Sequence, residues 1–372
     1  MIEPFEISVP EPTLADLRER LRATRWPAGV GEGGGISRAD MQEIVRYWLE
    51  DYDWREQERA LNRLPHFRVD IGDIGDMDGQ RLHFLHLRST SPDAIPLLLL
   101  HGWPGSFVEM LAIAPLLVPA FHVVVPSLPG DGFSDPSSTA GMSNARMAEI
   151  FAQLMTTLGY ERFGAQGGDW GAGIATWLAV KFPSRLIGIH LNYIPGSYAP
   201  AVVAPLSPEE EAFLAEKATW VEEQGAYGHA QRTRPLTLAY GLSDSPVGLA
   251  AWIYEKFREW ADPGSALSPD AILTNVMVYW VTNTIASSVR LYLESALTPL
   301  RFAPGERLAV PCGIARFPRE APFPPRAWVE RVYDVKRWTE MPRGGHFAAL
   351  EEPDLLAADV RAFFGAEGRS GF

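Results

Sequence analysis

Apolar residues change their spacing along this chain, and each change marks a different kind of structure. From Thr13 to Thr24, Leu14, Leu17 and Leu21 recur at helical spacing, with Thr13 placed to cap. A glycine run (Gly31, Gly33, Gly34, Gly35) ends this stretch. Ser37 precedes a second helical stripe, Met41, Ile44, Val45 and Trp48, and a Trp/Leu-rich segment runs from Trp54 to Leu64. Residues 1–66 therefore read as a helical extension. From residue 67 the pattern becomes that of strands. FRVDI and LHFLHL flank an Asp/Gly-rich turn, and IPLLLLHG and FHVVVPSLPG are continuous apolar runs ending in glycine, as buried parallel strands do. Helical stretches at Ser106–Leu117 and at Asn144–Leu158, the latter capped by Asn144, alternate with them. FGAQGGDW, GAGIATWLAVKF and LIGIHLN then read as strand, helix, strand.

The alternation stops near Pro195. Helices are expected at Phe213–Glu223, at Val247–Trp260 after an Asp244-Ser245-Pro246 start, and at Asp270–Leu297. Strands resume at VPCGIARF and VKRWTEM, and a last helix runs from Pro353 to Phe364. Eight strands alternating with helices predict an α/β fold with a mostly parallel sheet. The divisions are an N-terminal helical segment (1–66), a core in two parts (67–195 and 305–372) and a helical lid (196–304) inserted over the sheet's carboxyl edge, where ligands bind.

Composition narrows the function. With 33 Lys+Arg against 46 Asp+Glu the net charge is −13, which argues against a nucleic-acid partner. The single cysteine, Cys312, excludes an intramolecular disulfide framework and a multi-cysteine metal site. The opening segment is acidic and proline-bearing, and no apolar run reaches bilayer length, so a cytoplasmic protein without a membrane partner is expected.

Three short segments carry the chemistry. Gly167-Gly168-Asp169-Trp170-Gly171 fits a strand-to-helix elbow that holds Asp169 at a helix N-terminus, where the dipole favours a carboxylate. His101-Gly102-Trp103-Pro104-Gly105 follows the third strand, where a loop can offer a backbone N–H. Trp103 and Trp170 N–H are thus the expected oxyanion donors. Gly344-Gly345-His346-Phe347 follows the last strand and supplies a general base. Glu320, after VPCGIARF, is the acid expected to orient His346, with Asp334 and Glu330 as rivals. Asn192, ending LIGIHLN, cannot serve as that acid. An aspartate nucleophile suits displacement at a saturated carbon, as in an epoxide or a haloalkane. An epoxide leaves as a basic alkoxide and needs an acid such as tyrosine, whereas a halide needs only N–H donors.

The segments PFEISVPEPTLADLRERLRATRWP, His101–Pro104, Gly167–Gly171, Asp244–Trp252 and Pro342–Leu350 occur in the order found in microsomal-type epoxide hydrolases, and the chain resembles that family over nearly its whole length. The resemblance implies an α/β-hydrolase fold and a cofactor-independent enzyme acting on a small apolar epoxide and water. It also implies a cis Trp103–Pro104 peptide, and it points to the soluble members; a homodimer is compatible with it. The context Gly225–Gln231 implies Tyr227 as one ring-opening acid, and Ser287–Tyr292 implies Tyr292 as the other. Tyr240, Tyr254 and Tyr279 are rivals. A haloalkane dehalogenase, or a catalytically silent ligand-binding member of the fold, remains the alternative.

Overall fold

The computed structural model describes residues 1–28, 33–72, 79–195, 198–202, 204–265 and 267–367. Gly31, the turn at 73–78 and residues 196 and 197 of the expected lid lie outside them. The strands are β1 (Ile2–Pro4), β2 (His66–Ile71), β3 (Gln80–Leu87), β4 (Ile95–Leu100), β5 (Phe121–Pro126), β6 (Phe163–Gly167), β7 (Leu186–Leu191), β8 (Pro311–Arg316) and β9 (Asp334–Glu340). They form one sheet of order β1-β2-β3-β5-β4-β6-β7-β8-β9. The β1-β2, β2-β3 and β3-β5 pairs are antiparallel, and every pair from β5-β4 to β8-β9 is parallel.

The sheet has nine strands among the described residues, where eight were expected. The additional strand is β1, paired with Phe67–Val69. It is three residues long, exposed throughout and ends in proline, so it shows neither alternation nor an apolar run; only its partner strand makes it a strand. The unbroken apolar run of β4 has a direct explanation. Leu97 and Leu99 enter the core on one face of the sheet, and Leu98 and Leu100 enter the core on the other.

Helices α1 (Glu11–Arg22), α2 (Arg38–Glu50) and α3 (Trp54–Leu61) precede β2, α4 (Ile113–Leu117) precedes β5, and α5 (Asn144–Thr157) and α6 (Asp169–Lys181) flank β6. Between β7 and β8 lie α7 (Pro208–Gln224), α8 (Ala226–Thr233), α9 (Pro235–Asp244), α10 (Pro246–Trp260), α11 (Pro269–Thr282) and α12 (Ile285–Leu297). α13 (Arg326–Val329), α14 (Ala348–Glu351) and α15 (Pro353–Glu367) complete the chain.

Several expected boundaries shift. α1 starts after Pro10 and carries Pro12 in its first turn, so Thr13 lies inside the helix. Ser143 is the N-cap of α5, and the Asn144 N–H donates instead to Ser295 Oγ of α12 at 3.2 Å. Ser106–Leu117 is a short 3-10 turn (Phe107–Met110) followed by α4. Asp270–Leu297 is two helices, because Asn283 adopts a left-handed conformation (φ 53°) that ends α11. Ser37 and Ser245 cap α2 and α10 as their sequences indicate.

Candidate active site

The chemistry-bearing loops leave the carboxyl ends of neighbouring parallel strands. β6 runs into α6 through Gly167 and Gly168, and Asp169 takes a φ of 44°, a left-handed conformation rare for a side chain other than glycine. The turn is this tight because α6 rests on β4. A Cβ at Gly171 would overlap the Leu100 carbonyl, and one at Gly102 would overlap the Asp169 side chain.

The loop after β4 reaches Asp169 from the other side. Its Trp103–Pro104 peptide is cis. The Trp103 N–H donates to Asp169 Oδ1 at 2.8 Å, and the Trp170 N–H donates to the same carboxylate. His101 does not face this carboxylate. Its Nε2 accepts from the Leu128 N–H at 3.2 Å and its Nδ1 donates to the Gly102 carbonyl at 3.0 Å, which ties the loop to the segment after β5. Burial pulls its imidazole down to about 4, consistent with a neutral ring.

His346 follows β9. Its Nε2 lies 3.6 Å from Asp169 Oδ2, and its Nδ1 lies 2.7 Å from Glu320 Oε1. A carboxylate oxygen can only accept here, so Nδ1 carries the proton. The Glu320 side chain is fully buried. The Arg319 N–H donates to the Gly344 carbonyl at 3.1 Å, so the loops bearing acid and base are joined. Of the rival acids, Asp334 pairs with Lys336 and Glu330 with Arg326. Asn192 accepts from Gln166 at 2.8 Å.

Burial lowers the affinity of the His346 ring for a proton, but Glu320, Asp169 and Glu109 outweigh it and lift the group to about 9. Burial also raises Asp169, opposed by the His346 charge and the two N–H donors. Each charge thus favours the other, an imidazolium at His346 and a carboxylate at Asp169. Asp169 keeps 19% of its side chain exposed, enough for a reactant to reach it.

Two tyrosines from the inserted helices complete the site. Tyr227 of α8 stacks on Trp103 with centroids 5.6 Å apart and planes within 8°. Tyr292 of α12 meets Trp170 edge-on at 4.6 Å and Trp103 at 5.7 Å. Their rings lie 5.9 Å apart and their hydroxyls interact. Burial pushes both phenols up. Tyr279 has spent its hydroxyl on the Gly105 carbonyl (2.6 Å) and Asp131 (2.9 Å), Tyr240 is 72% exposed, and Tyr254 pairs with Arg258.

Sequence reading missed the carboxylates that brace this arrangement. Glu351 accepts from the N–H groups of Gly345 (3.0 Å) and Phe347 (2.8 Å), on either side of His346, and from that of Asp262 (2.7 Å) after α10. Glu109 packs its carboxyl where a Gly105 Cβ would lie and is pushed up to about 8, chiefly by burial. Trp260 stands 5.1 Å from both His346 and Tyr227, and its carbonyl accepts from the His346 N–H at 3.0 Å. Along the sequence Glu351 and Glu109 are ordinary charges, whereas Trp260 is one of four lid tryptophans, with Trp220, Trp252 and Trp280, that suggest an apolar pocket. A separate surface cleft of about 560 Å³, lined by Arg20, Trp26, Met41 and Val247 among others, holds none of these groups.

Residues 2–110 match the family model described as the epoxide hydrolase N terminus, and residues 95–237 match that of the alpha/beta hydrolase fold. A putative epoxide hydrolase of Stigmatella aurantiaca is 45% identical, over 98% of this chain and 84% of its own. The chain belongs to the epoxide hydrolase family. Epoxide hydrolase 1 of Sus scrofa is 36% identical across 98% of the chain and 88% of the relative. The crystal structure of juvenile hormone epoxide hydrolase from Bombyx mori superposes with a TM-score of 0.87, at 31% identity, over 100% of this chain and 96% of that one. Among the described residues, no helix of this epoxide hydrolase family member is long and apolar enough to cross a membrane.

Proposed function

We propose that the protein hydrolyses an epoxide to a vicinal diol through an alkyl ester of Asp169. The observation that carries this reading is a carboxylate set among three kinds of partner. The Trp103 N–H holds Oδ1, the Trp170 N–H donates to the same carboxylate, the imidazole of His346 lies beside Oδ2, and two half-buried tyrosines stand against the two tryptophans.

Oδ2 attacks a ring carbon of the epoxide and the C–O bond breaks. Tyr227 and Tyr292 hydrogen-bond the departing oxygen and pass it a proton, which the His346 imidazolium replaces. Forming the ester removes the negative charge of Asp169. His346 loses one of the carboxylates that lift it, and is left neutral when a base is needed. It then takes a proton from water, and the hydroxide adds to Cγ of the ester. The Trp103 and Trp170 N–H groups hold the oxyanion on Oδ1. Collapse breaks the Cγ–Oδ2 bond, the departing alkoxide takes the proton of the added hydroxyl and leaves as the diol, and the imidazolium again stands beside a carboxylate. Glu320 keeps the ring oriented and stabilises its charged form. The steps need only the chain's own residues and water.

A single turnover in heavy-oxygen water tests the ester. The label is expected in the peptide carrying Asp169, because the diol keeps the original Oδ2. Labelled diol with unlabelled Asp169 would mean direct attack by water and would refute the mechanism. Halide release from haloalkanes with no diol from epoxides would replace this reading with dehalogenation.

A further inference from the structure

Lys256 on α10 is only 4% exposed, yet the steps above give it no part. Its Nζ lies 4.8 Å from the centroid of Tyr227 and 5.4 Å from that of Trp260, and it pairs with Glu255 Oε2 at 2.5 Å. A buried ammonium is costly to hold, and a methionine would fill the same slot without that cost. The charge is therefore expected to have a use. Tyr227 must give up a proton in a place where burial and the carboxylates of Asp169 and Glu320 all oppose negative charge on its oxygen.

We propose that Lys256 is a positioning residue that acts through Tyr227. Its ammonium, seated on the phenol ring, holds the hydroxyl in place and offsets the negative charge that grows on it during ring opening. The inference rests on the epoxide-opening reading and adds to it a residue outside the set that touches substrate. The α10 spacing supports it, because Lys256 and Trp260 are four residues apart on one helical face. One element thus presents a cation to the acid, Tyr227, and a ring to the base, His346.

The effect on ring opening separates from any effect on ester hydrolysis. With styrene oxide as probe, rapid-quench mass spectrometry gives the rate constants for forming and losing the alkyl-enzyme. A unit charge 4.8 Å from the centroid of the phenol ring predicts that Lys256→Met slows ester formation about 10- to 100-fold. Ester loss should stay within about threefold, and Lys256→Arg should restore most of the rate. In a Tyr227→Phe background, Lys256→Met should change ester formation by less than about twofold, because the group it acts through is gone. Equal slowing in both backgrounds, equal slowing of both steps, or no slowing would each overturn the proposal. Glu255→Gln reads the same field with Lys256 intact. Removing the competing carboxylate should speed ester formation about two- to fivefold, and an unchanged or slower rate overturns the proposal even if Lys256→Met does not fold. Wild-type protein that yields neither alkyl-enzyme nor diol across an epoxide panel would overturn the hydrolase reading itself. Wild-type turnover with an indifferent Lys256→Met would overturn only the role of Lys256.

Discussion

Replacing Glu320 by glutamine keeps the shape of the side chain and removes its charge, 2.7 Å from His346 Nδ1. The surrounding carboxylates lift the imidazole from 6.5 to about 9 against the pull of burial, and Glu320 is the largest of them. At about 1.4 kcal/mol per tenfold change, that lift is worth roughly 3 kcal/mol of imidazolium stability. If Glu320 supplies most of it, its loss costs the water-activating step roughly 100-fold. An amide that turns its N–H toward Nδ1 would also fix the wrong tautomer and raise the cost toward roughly 10⁴-fold. Ring opening relies on Asp169 and the tyrosines, and should slow far less. The expected result is therefore an alkyl-enzyme that forms and persists. Intact-mass spectrometry after mixing with excess epoxide should show the protein plus one substrate mass, decaying at least 100 times more slowly than in the wild type. The pH at which His346 titrates in the free enzyme should fall, as followed by its imidazole NMR signal. Ester loss within about fivefold of the wild-type rate would refute the assignment of Glu320.

Other outcomes follow from the same geometry. His346→Ala should also trap the alkyl-enzyme, and rapid turnover by it would remove His346 from the role of base. Tyr292→Phe should slow ester formation about 10- to 100-fold, whereas Tyr279→Phe should leave that step within about threefold while lowering stability by about 1–2 kcal/mol, because its hydroxyl serves Gly105 and Asp131; the reverse pattern in rapid-quench and urea denaturation would exchange their roles. Away from the site, Asp359 of α15 is opposed by burial but held down to about 2 by His190, Arg337 and Thr339. Its contribution should be complete above about pH 4, where an unfolded aspartate has ionised, and lost as pH falls toward 2. Asp359→Ala should cost about 3–5 kcal/mol at pH 7, measured by urea denaturation, and a loss under 1 kcal/mol would contradict the network.

Much of this was legible because it is local. Glycines around Asp169 exist because a tight turn lies against a neighbouring strand, and the turn and its residues are contiguous. The same holds for the loop at Trp103, for the apolar strand runs and for Ser37 and Ser245 as caps. Chain order alone placed Asp169 before Glu320 and Glu320 before His346. What needed the tertiary structure is what depends on partners distant along the chain. The context Ser287–Tyr292 pointed to Tyr292 over Tyr279, 13 residues earlier, but not to what either ring meets: Tyr279 faces Gly105 and Asp131, and Tyr292 faces Trp170. β1 is a strand because β2 lies beside it, and α11 and α12 are separate because Asn283 turns the chain. Glu351, Glu109 and Lys256 look like solvated charges until folding buries them near His346 or Tyr227. Hydrophobic periodicity states which face of an element turns inward. It cannot state what that face meets, and a charge has no defined energy until its neighbours and its exposure to water are known.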